Sequence, residues 1–246
     1  RQRQMCIRDR YILAAREYPV EIVLVGPREI IEKHLSKYKI GNLKLDIVHA
    51  SQVVSMDEPP ADAVRKKKDS SMHVSTRLIK SGEASAMVTA GNTAAALAIT
   101  RSILGKLKGV SRPAIAAVIP NTFDATILLD VGANAGSCGP LHLLEFALMG
   151  SVYSKALMHK ENPRVGLLSV GEEKTKGSAI TLSAFPLLEQ APINFIGNVE
   201  GKDVVSGSAD IVVCDGFVGN AILKFAEGAS DLFFEIIKSE IKKSLR

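Results

Sequence analysis

Four short stretches of this 246-residue chain combine glycine with amide, hydroxyl or carboxyl side chains. They are Thr89-Ala90-Gly91-Asn92-Thr93, Asp130-Val131-Gly132-Ala133-Asn134, Gly171-Glu172-Glu173 and Cys214-Asp215-Gly216-Phe217-Val218-Gly219-Asn220. Glycine lets the backbone approach a ligand closely, and the free N–H groups that open a helix favour anions. Asn92 and Thr93 stand at the mouth of an Ala-rich helical stretch, where they suit a phosphate or an oxyanion. A fifth stretch, Lys66-Lys67-Lys68-Asp69-Ser70-Ser71, joins a cationic run to a helix N-cap. Ammonium groups, hydroxyls and free amides together make a workable cradle for a dianion. Arg112-Pro113 fixes a guanidinium just ahead of a strand. Each feature also has a plainer reading: a turn that only caps its helix, a solvated basic face, a surface arginine. Four such turns on one sheet edge favour a binding site over four separate caps.

Other chemistries find little footing. The dinucleotide fingerprint G-x-G-x-x-G and the P-loop are both absent, which lowers nicotinamide and ATP readings. Three cysteines, Cys6, Cys138 and Cys214, lie far apart, and five histidines show no ligand spacing, so neither disulfides nor a metal is expected. Cys214 at a strand end is read as a small buried hydrophobe rather than a nucleophile. No G-x-S-x-G elbow is present. Chemistry without a protein nucleophile is the better expectation.

The elements that must position these residues follow an α/β rhythm. Strands are expected at 20–25, 43–49, 84–89, 114–119, 126–131, 164–170, 193–196 and 210–214. Helices are expected at 28–38, from Pro60 to Arg65, from Ser70 to Gly82, from Ala94 to Gly105, from His142 to Met158 and from Ala221 to Arg246. The pair 114–119 and 126–131, joined by a polar turn, suits an antiparallel hairpin. The remaining alternation predicts a mainly parallel, doubly wound sheet with helices on both faces. Residues 11–246 are read as one α/β domain, preceded by a segment, 1–10, that fits neither strand nor helix. Both ends suggest a fragment of a longer chain.

Hydrophobic residues make up 46% and charged residues 23%, an ordinary balance for a folded globular protein. No apolar run approaches the roughly 20 residues needed to span a bilayer, and no signal peptide is seen, so a cytoplasmic address is expected. The net charge of +5 suits an acidic partner or simply a solvated basic surface. Trp is absent and basic residues are not interleaved with aromatics, so nucleic acid is not expected as a partner.

Taken in order, the motifs resemble the PlsX phosphate acyltransferase family. The resemblance is carried by Met56-Asp57-Glu58, Arg65 to Met72, Ala90 to Thr93, Arg112-Pro113-Ala114, Leu129 to Asn134 and Gly171-Glu172-Glu173. Asn194 to Gly201 and Val213 to Asn220 complete it. Single pieces are weak, but the ordered set is specific and runs from about Tyr11 to the last helix. Ala94 stands where the family usually has Gly, the 135–140 loop differs in length, and residues 1–10 lack the Met-Gly-Gly-Asp turn that opens the family's fold.

The resemblance implies transfer of a fatty acyl group from acyl carrier protein to inorganic phosphate, without a cofactor. It implies a fold like the isocitrate and isopropylmalate dehydrogenases and phosphotransacetylase, a homodimer, and peripheral attachment to the inner face of a bacterial membrane. On this reading Lys68, Ser70, Ser71, Asn92, Thr93 and, less directly, Arg112 hold phosphate. Asn92, Asn134, Asp215 and Asn220 serve the reacting centre, with Asn134 or Asn220 donating to the oxyanion and Asp215 orienting a donor. Lys66, Lys67, Lys106 and Lys108 meet the acidic carrier protein. Rival readings are a phosphotransacetylase-like transferase using acyl-CoA, a dehydrogenase of the related fold, and an inactive membrane-associated binding protein.

Overall fold

The computed structural model describes residues 2–41 and 43–244, with side chains described from residue 10 to residue 243 apart from 42. Helix α1 (Gln2–Glu17) opens the chain. This corrects the expectation of irregular structure over residues 1–10, although Arg1 itself lies outside the described residues. The helix carries four Arg, two Gln and two Ala, all strong helix formers.

By its contacts the chain groups into two compact units, Arg1–Leu107 and Lys108–Arg246. In the first, β1 (Ile22–Gly26) and β2 (Leu45–His49) form a parallel pair, with Leu24 opposite Ile47, and α2 (Arg28–Leu35) lies between them in sequence. Pro60 opens α3 (Pro60–Lys66), where a missing N–H costs nothing. Helix α4 (Ser71–Ser81) runs from its Ser70 cap to Gly82, which adopts the left-handed conformation that ends many helices. Helix α5 (Thr93–Leu104) packs against α3 and α4, and Val54, Ala63, Met72, Ala95 and Ile99 form the small core beneath them.

The stretch 84–89 is not a strand. Val88 is exposed, and a nearby backbone hydrogen bond runs back to the preceding helix, from Ala84 N–H to the Leu78 carbonyl. Apolar composition alone does not make a strand without a neighbouring ladder.

In the second unit, β3 (Ala116–Pro120) and β4 (Ala125–Leu129) form the expected antiparallel hairpin. Then come α6 (Pro140–Met158), β5 (Arg164–Leu168), α7 (Ala179–Glu189), β6 (Asn194–Val199), α8 (Asp203–Ser206), β7 (Ile211–Val213) and α9 (Gly216–Ser244). The sheet order is β3-β4-β7-β5-β6, with β4, β7, β5 and β6 parallel. The inner strands β4, β7 and β5 are apolar runs because both their faces are covered, whereas the edge strand β3 exposes Ala116, Val118 and Pro120. Ile127, Leu129, Val165, Leu167, Ile211 and Val213 meet Leu143 and Phe146 of α6 and Leu188 of α7 on one face. Leu128 and Val212 meet Val204 of α8 on the other, closed by Ile222 and Leu223 of α9.

Candidate active site

In the first unit the cationic run and the mouth of α5 are held by one short segment, residues 53–58. Lys67 Nζ donates to the Val53 carbonyl at 2.8 Å and lies 3.6 Å from Glu58 Oε2. Asn92 Nδ2 donates to the carbonyls of Ser55 (3.3 Å), Met56 (3.1 Å) and Glu58 (2.9 Å). Asn92 Oδ1 meanwhile accepts from Ala95 N–H at 3.0 Å and so caps α5. Both polar atoms of this buried side chain are thus committed to its own chain. Thr93, the first residue of α5, is exposed beside it.

At α4 the cap is Ser70, fully buried, whose hydroxyl accepts from His73 N–H and lies 3.0 Å from His73 Nδ1. Burial holds the His73 imidazole below its ordinary pKa, and the charges of Lys68 and Arg77 act in the same direction. Asp69 accepts from Ser51 N–H (2.8 Å) and Ser51 Oγ (2.5 Å), bonds that hold its carboxyl below the usual range. Arg77 donates to the Lys68 carbonyl at 2.8 Å. The backbone of the run is therefore pinned, while the Lys68 side chain is exposed and Ser71 half-buried at the helix mouth. Lys66 is exposed and pairs with Asp62 at 3.2 Å. Lys106 is exposed near the end of this unit, and Lys108 is exposed at the start of the next.

In the second unit Asp130 organises the turn after β4. Its buried carboxylate accepts five hydrogen bonds. Oδ1 takes the amides of Ile115 (3.0 Å), Gly132 (3.2 Å) and Ala133 (3.0 Å). Oδ2 takes the Asn134 amide (2.8 Å) and Asn134 Nδ2 (2.9 Å). Asn134 Nδ2 also donates to the Pro113 carbonyl at 2.8 Å, so this side chain, itself buried, ties the turn to the segment before β3. Arg112 donates to Ser137 Oγ at 2.5 Å.

The stretch after β7 is not an open turn: α9 begins at Gly216, and Asp215 Oδ1 caps it by accepting from Phe217 N–H (2.9 Å) and Val218 N–H (3.2 Å). The first turn of α9 packs directly on the Asp130 turn. A Cβ on Gly216 would lie 2.8 Å from Asp130 Oδ2, and one on Gly219 would lie 1.9 Å from the Asp130 carbonyl oxygen. Asn220 is exposed on that same turn and borders Gly132.

Three of the four glycine-containing turns follow β4, β5 and β7, neighbouring parallel strands, and so share one sheet edge, the edge where open parallel sheets place ligands. The fourth, 89–93, follows no strand and belongs to the first unit. Asn198 adds a support at the shared edge: its Nδ2 donates to the Glu173 carbonyl at 2.8 Å. Glu58 and Asn198 carry these frames although residue type and spacing do not single them out, and Asp130, the first residue of its glycine-containing turn, proves to be that turn's organiser. The Asp-x-Gly pattern at a strand end is the local signal that marks Asp130.

Neither described thiol is poised for attack. Burial, with the carboxylates of Asp215 and Asp130, pushes Cys138 up to about 11 and Cys214 well beyond the usual range. Cys6 has no described side chain. Among the described residues no group of three or more His, Cys, Asp or Glu is arranged to hold a metal ion.

Known proteins match this chain across nearly its whole length. A family described as "Fatty acid synthesis protein" matches residues 6–246. The chain belongs to that family. The phosphate acyltransferase of Pelotomaculum thermopropionicum is 51% identical over 233 residues, covering 95% of this chain and 68% of that protein. The phosphate acyltransferase of Heliobacterium modesticaldum is 50% identical over 234 residues, covering 95% and 70%. The resemblance read from the ordered motifs is therefore to the right family, and the match begins inside the first ten residues, at residue 6. Among solved structures, the EutD phosphotransacetylase from Staphylococcus aureus superposes with a TM-score of 0.61 at 18% identity, covering 91% of this chain and 80% of that one. That likeness concerns the fold, and it agrees with the α/β architecture expected of this fatty acid synthesis protein.

Proposed function

We propose that this enzyme, an acyltransferase whose acceptor is phosphate, takes a fatty acyl group from acyl carrier protein and forms acyl phosphate for phospholipid synthesis. The observation that carries the reading is identity of about half over 95% of the chain with phosphate acyltransferases of one family. The donor follows from the family resemblance and from an excess of five positive charges that suits an acidic carrier.

The chemistry asks little of a protein nucleophile. A phosphate oxygen attacks the thioester carbonyl, the tetrahedral intermediate collapses, the C–S bond breaks and the carrier thiolate departs. Oxidation states do not change, so no redox cofactor enters. What the protein supplies is position and charge stabilisation. In the first unit Lys68, Ser71 and Thr93, with the free amides of α4 and α5, are the phosphate ligands. Ser70, Asn92 and Lys67 act as positioning residues, since their polar atoms are bound within their own chain. In the second unit Asn220, exposed beside Gly132, serves the oxyanion, while the amides of the Asp130 turn are spent on the Asp130 carboxylate. Asn134 holds that turn, Asp215 fixes the start of α9, and Arg112 steadies the following loop through Ser137.

Lys66, Lys106 and Lys108 are exposed and suit the carrier protein, which makes the rate fall as salt rises. The homodimer and the attachment to the inner membrane face are supported by α9, whose outer part exposes Leu232, Phe233, Phe234, Ile236, Ile237 and Ile241. No described helix is long and apolar enough to cross a membrane.

The direct test offers the same acyl group on carrier protein and on coenzyme A. The reading expects the carrier-bound donor to be preferred, with the preference eroding as salt is added. A coenzyme A preference that ignores salt would replace it with a phosphotransacetylase-like assignment.

A further inference from the structure

A cavity of about 320 Å³ opens within the second unit, at the carboxyl ends of β5 and β7 and between the first turns of α7 and α9. Its wall is predominantly apolar: Leu168, Val170, Ile180, Val218 and Ile222 line it, and Asp215 stands beside them. The size falls within the range of small-molecule pockets, about 300–1,000 Å³, and the mix of apolar wall with few polar groups is typical of them. Ser169, also on the wall, has a buried hydroxyl with no hydrogen-bond partner within the described residues.

We propose that this cavity receives the acyl chain of the donor, with Ile180 and Val218 setting how much chain it accepts. The inference deepens the function proposed above and rests on it for the identity of the ligand. The cavity adjoins the Asp215 cap and the first turn of α9, so a chain held there brings its carbonyl end to the edge where the Asp130 turn lies. An apolar wall cannot favour phosphate, and it gains from each methylene it removes from water. Within the cavity each methylene counts for roughly fourfold in affinity, so a side chain that fills part of the space discriminates against long donors.

The test uses Ile180→Phe and Val218→Phe, each checked for folding by circular dichroism and thermal denaturation. Two measurements are made on the whole chain. First, kcat/KM is compared for octanoyl and palmitoyl carrier protein. Both variants should lower the palmitoyl-to-octanoyl ratio by roughly tenfold or more, the loss of two methylenes. Second, a fluorescent fatty acid is titrated onto the protein without donor or phosphate. The wild type should bind it, palmitate should displace it, and both variants should bind it weakly. Unchanged length preference together with unchanged probe binding in folded variants would overturn the assignment while leaving the acyl transfer reaction standing. A wild type that binds the probe in this cavity but transfers no acyl group from any donor would sustain the cavity and refute the reaction.

Discussion

Gly219 lies against the backbone of Asp130: a Cβ on Gly219 would stand 1.9 Å from the Asp130 carbonyl oxygen and 2.8 Å from Cys214 Sγ. No side chain fits there without moving the start of α9. Gly219→Ala is therefore expected to lower the melting temperature markedly and to impair transfer. Gly228, on the same helix, would meet nothing within 4 Å. Gly228→Ala should hold or raise stability by about 1 kcal/mol, the helix propensity difference. Thermal denaturation of the two variants side by side checks the contrast, and equal effects would contradict it.

Asp130 concentrates five donors on one buried carboxylate, and an amide cannot replace it because its NH₂ faces donors. Asp130→Asn is expected to destabilise by about 3 kcal/mol, as buried donors lose an acceptor and a charge. The measurement is a urea unfolding midpoint, with the slope checked against wild type. A near-neutral result would mean that the turn is held by other contacts.

Asn92 bridges the α5 cap to three carbonyls of residues 55–58. Asn92→Ala should cost about 2 kcal/mol, more than the typical cap alone, and should lower turnover by displacing the mouth of α5. Asn92→Asp restores the cap acceptor but turns a carboxylate toward the same carbonyls, so it should not rescue. Stability and kcat measured together on both variants decide this, and full rescue by Asp would show that the cap is all that matters.

How much of this was legible beforehand depends on the range of the contact. The caps Ser70, Gly82, Asn92 and Gly105 and the apolar runs of β4, β5 and β7 could be read locally, since their signals lie within a few residues. Helix α7 was not anticipated: Pro186 sits inside it and interrupts the helical pattern. Helix α8 is too short to show a period. The strand expected at 84–89 failed because composition says nothing about whether a partner strand exists. Asn92 reaches carbonyls 34 to 37 residues away, and Asp130 reaches the Ile115 amide 15 residues away. The residue types announced polar turns, but only the fold shows that Asn92 and Asn134 also reach carbonyls of distant segments.

Acid sensitivity has a named source in the second unit. Asp210 accepts from Arg164 at its amide (2.8 Å), Nε (3.1 Å) and Nη2 (3.2 Å). Burial works to raise its pKa, but the Arg164 bonds and the charge of Lys160 outweigh it and the net shift is downward. A carboxyl depressed in the folded state contributes stability in full above its unfolded pKa of about 3.9. That contribution is lost as pH falls through the folded pKa. Asp210→Asn should thus cost about 2 kcal/mol near neutrality, and the gap to wild type should close in strong acid. Unfolding midpoints across the acid range check the sign.

The thiol of Cys214 is buried and held protonated, so Cys214→Ala should keep its turnover and iodoacetamide should leave Cys214 unlabelled in the folded protein. Mass spectrometry of the labelled chain reads this directly. Rapid alkylation at Cys214 with loss of activity would restore it as a candidate nucleophile.

The central claim is tested most directly by incubating the purified chain with palmitoyl–acyl carrier protein and following free thiol with and without inorganic phosphate. Thiol release that requires phosphate, accompanied by palmitoyl phosphate, is the expected result. Release that proceeds equally without phosphate, or none at all from a folded chain beside an active relative, would contradict it.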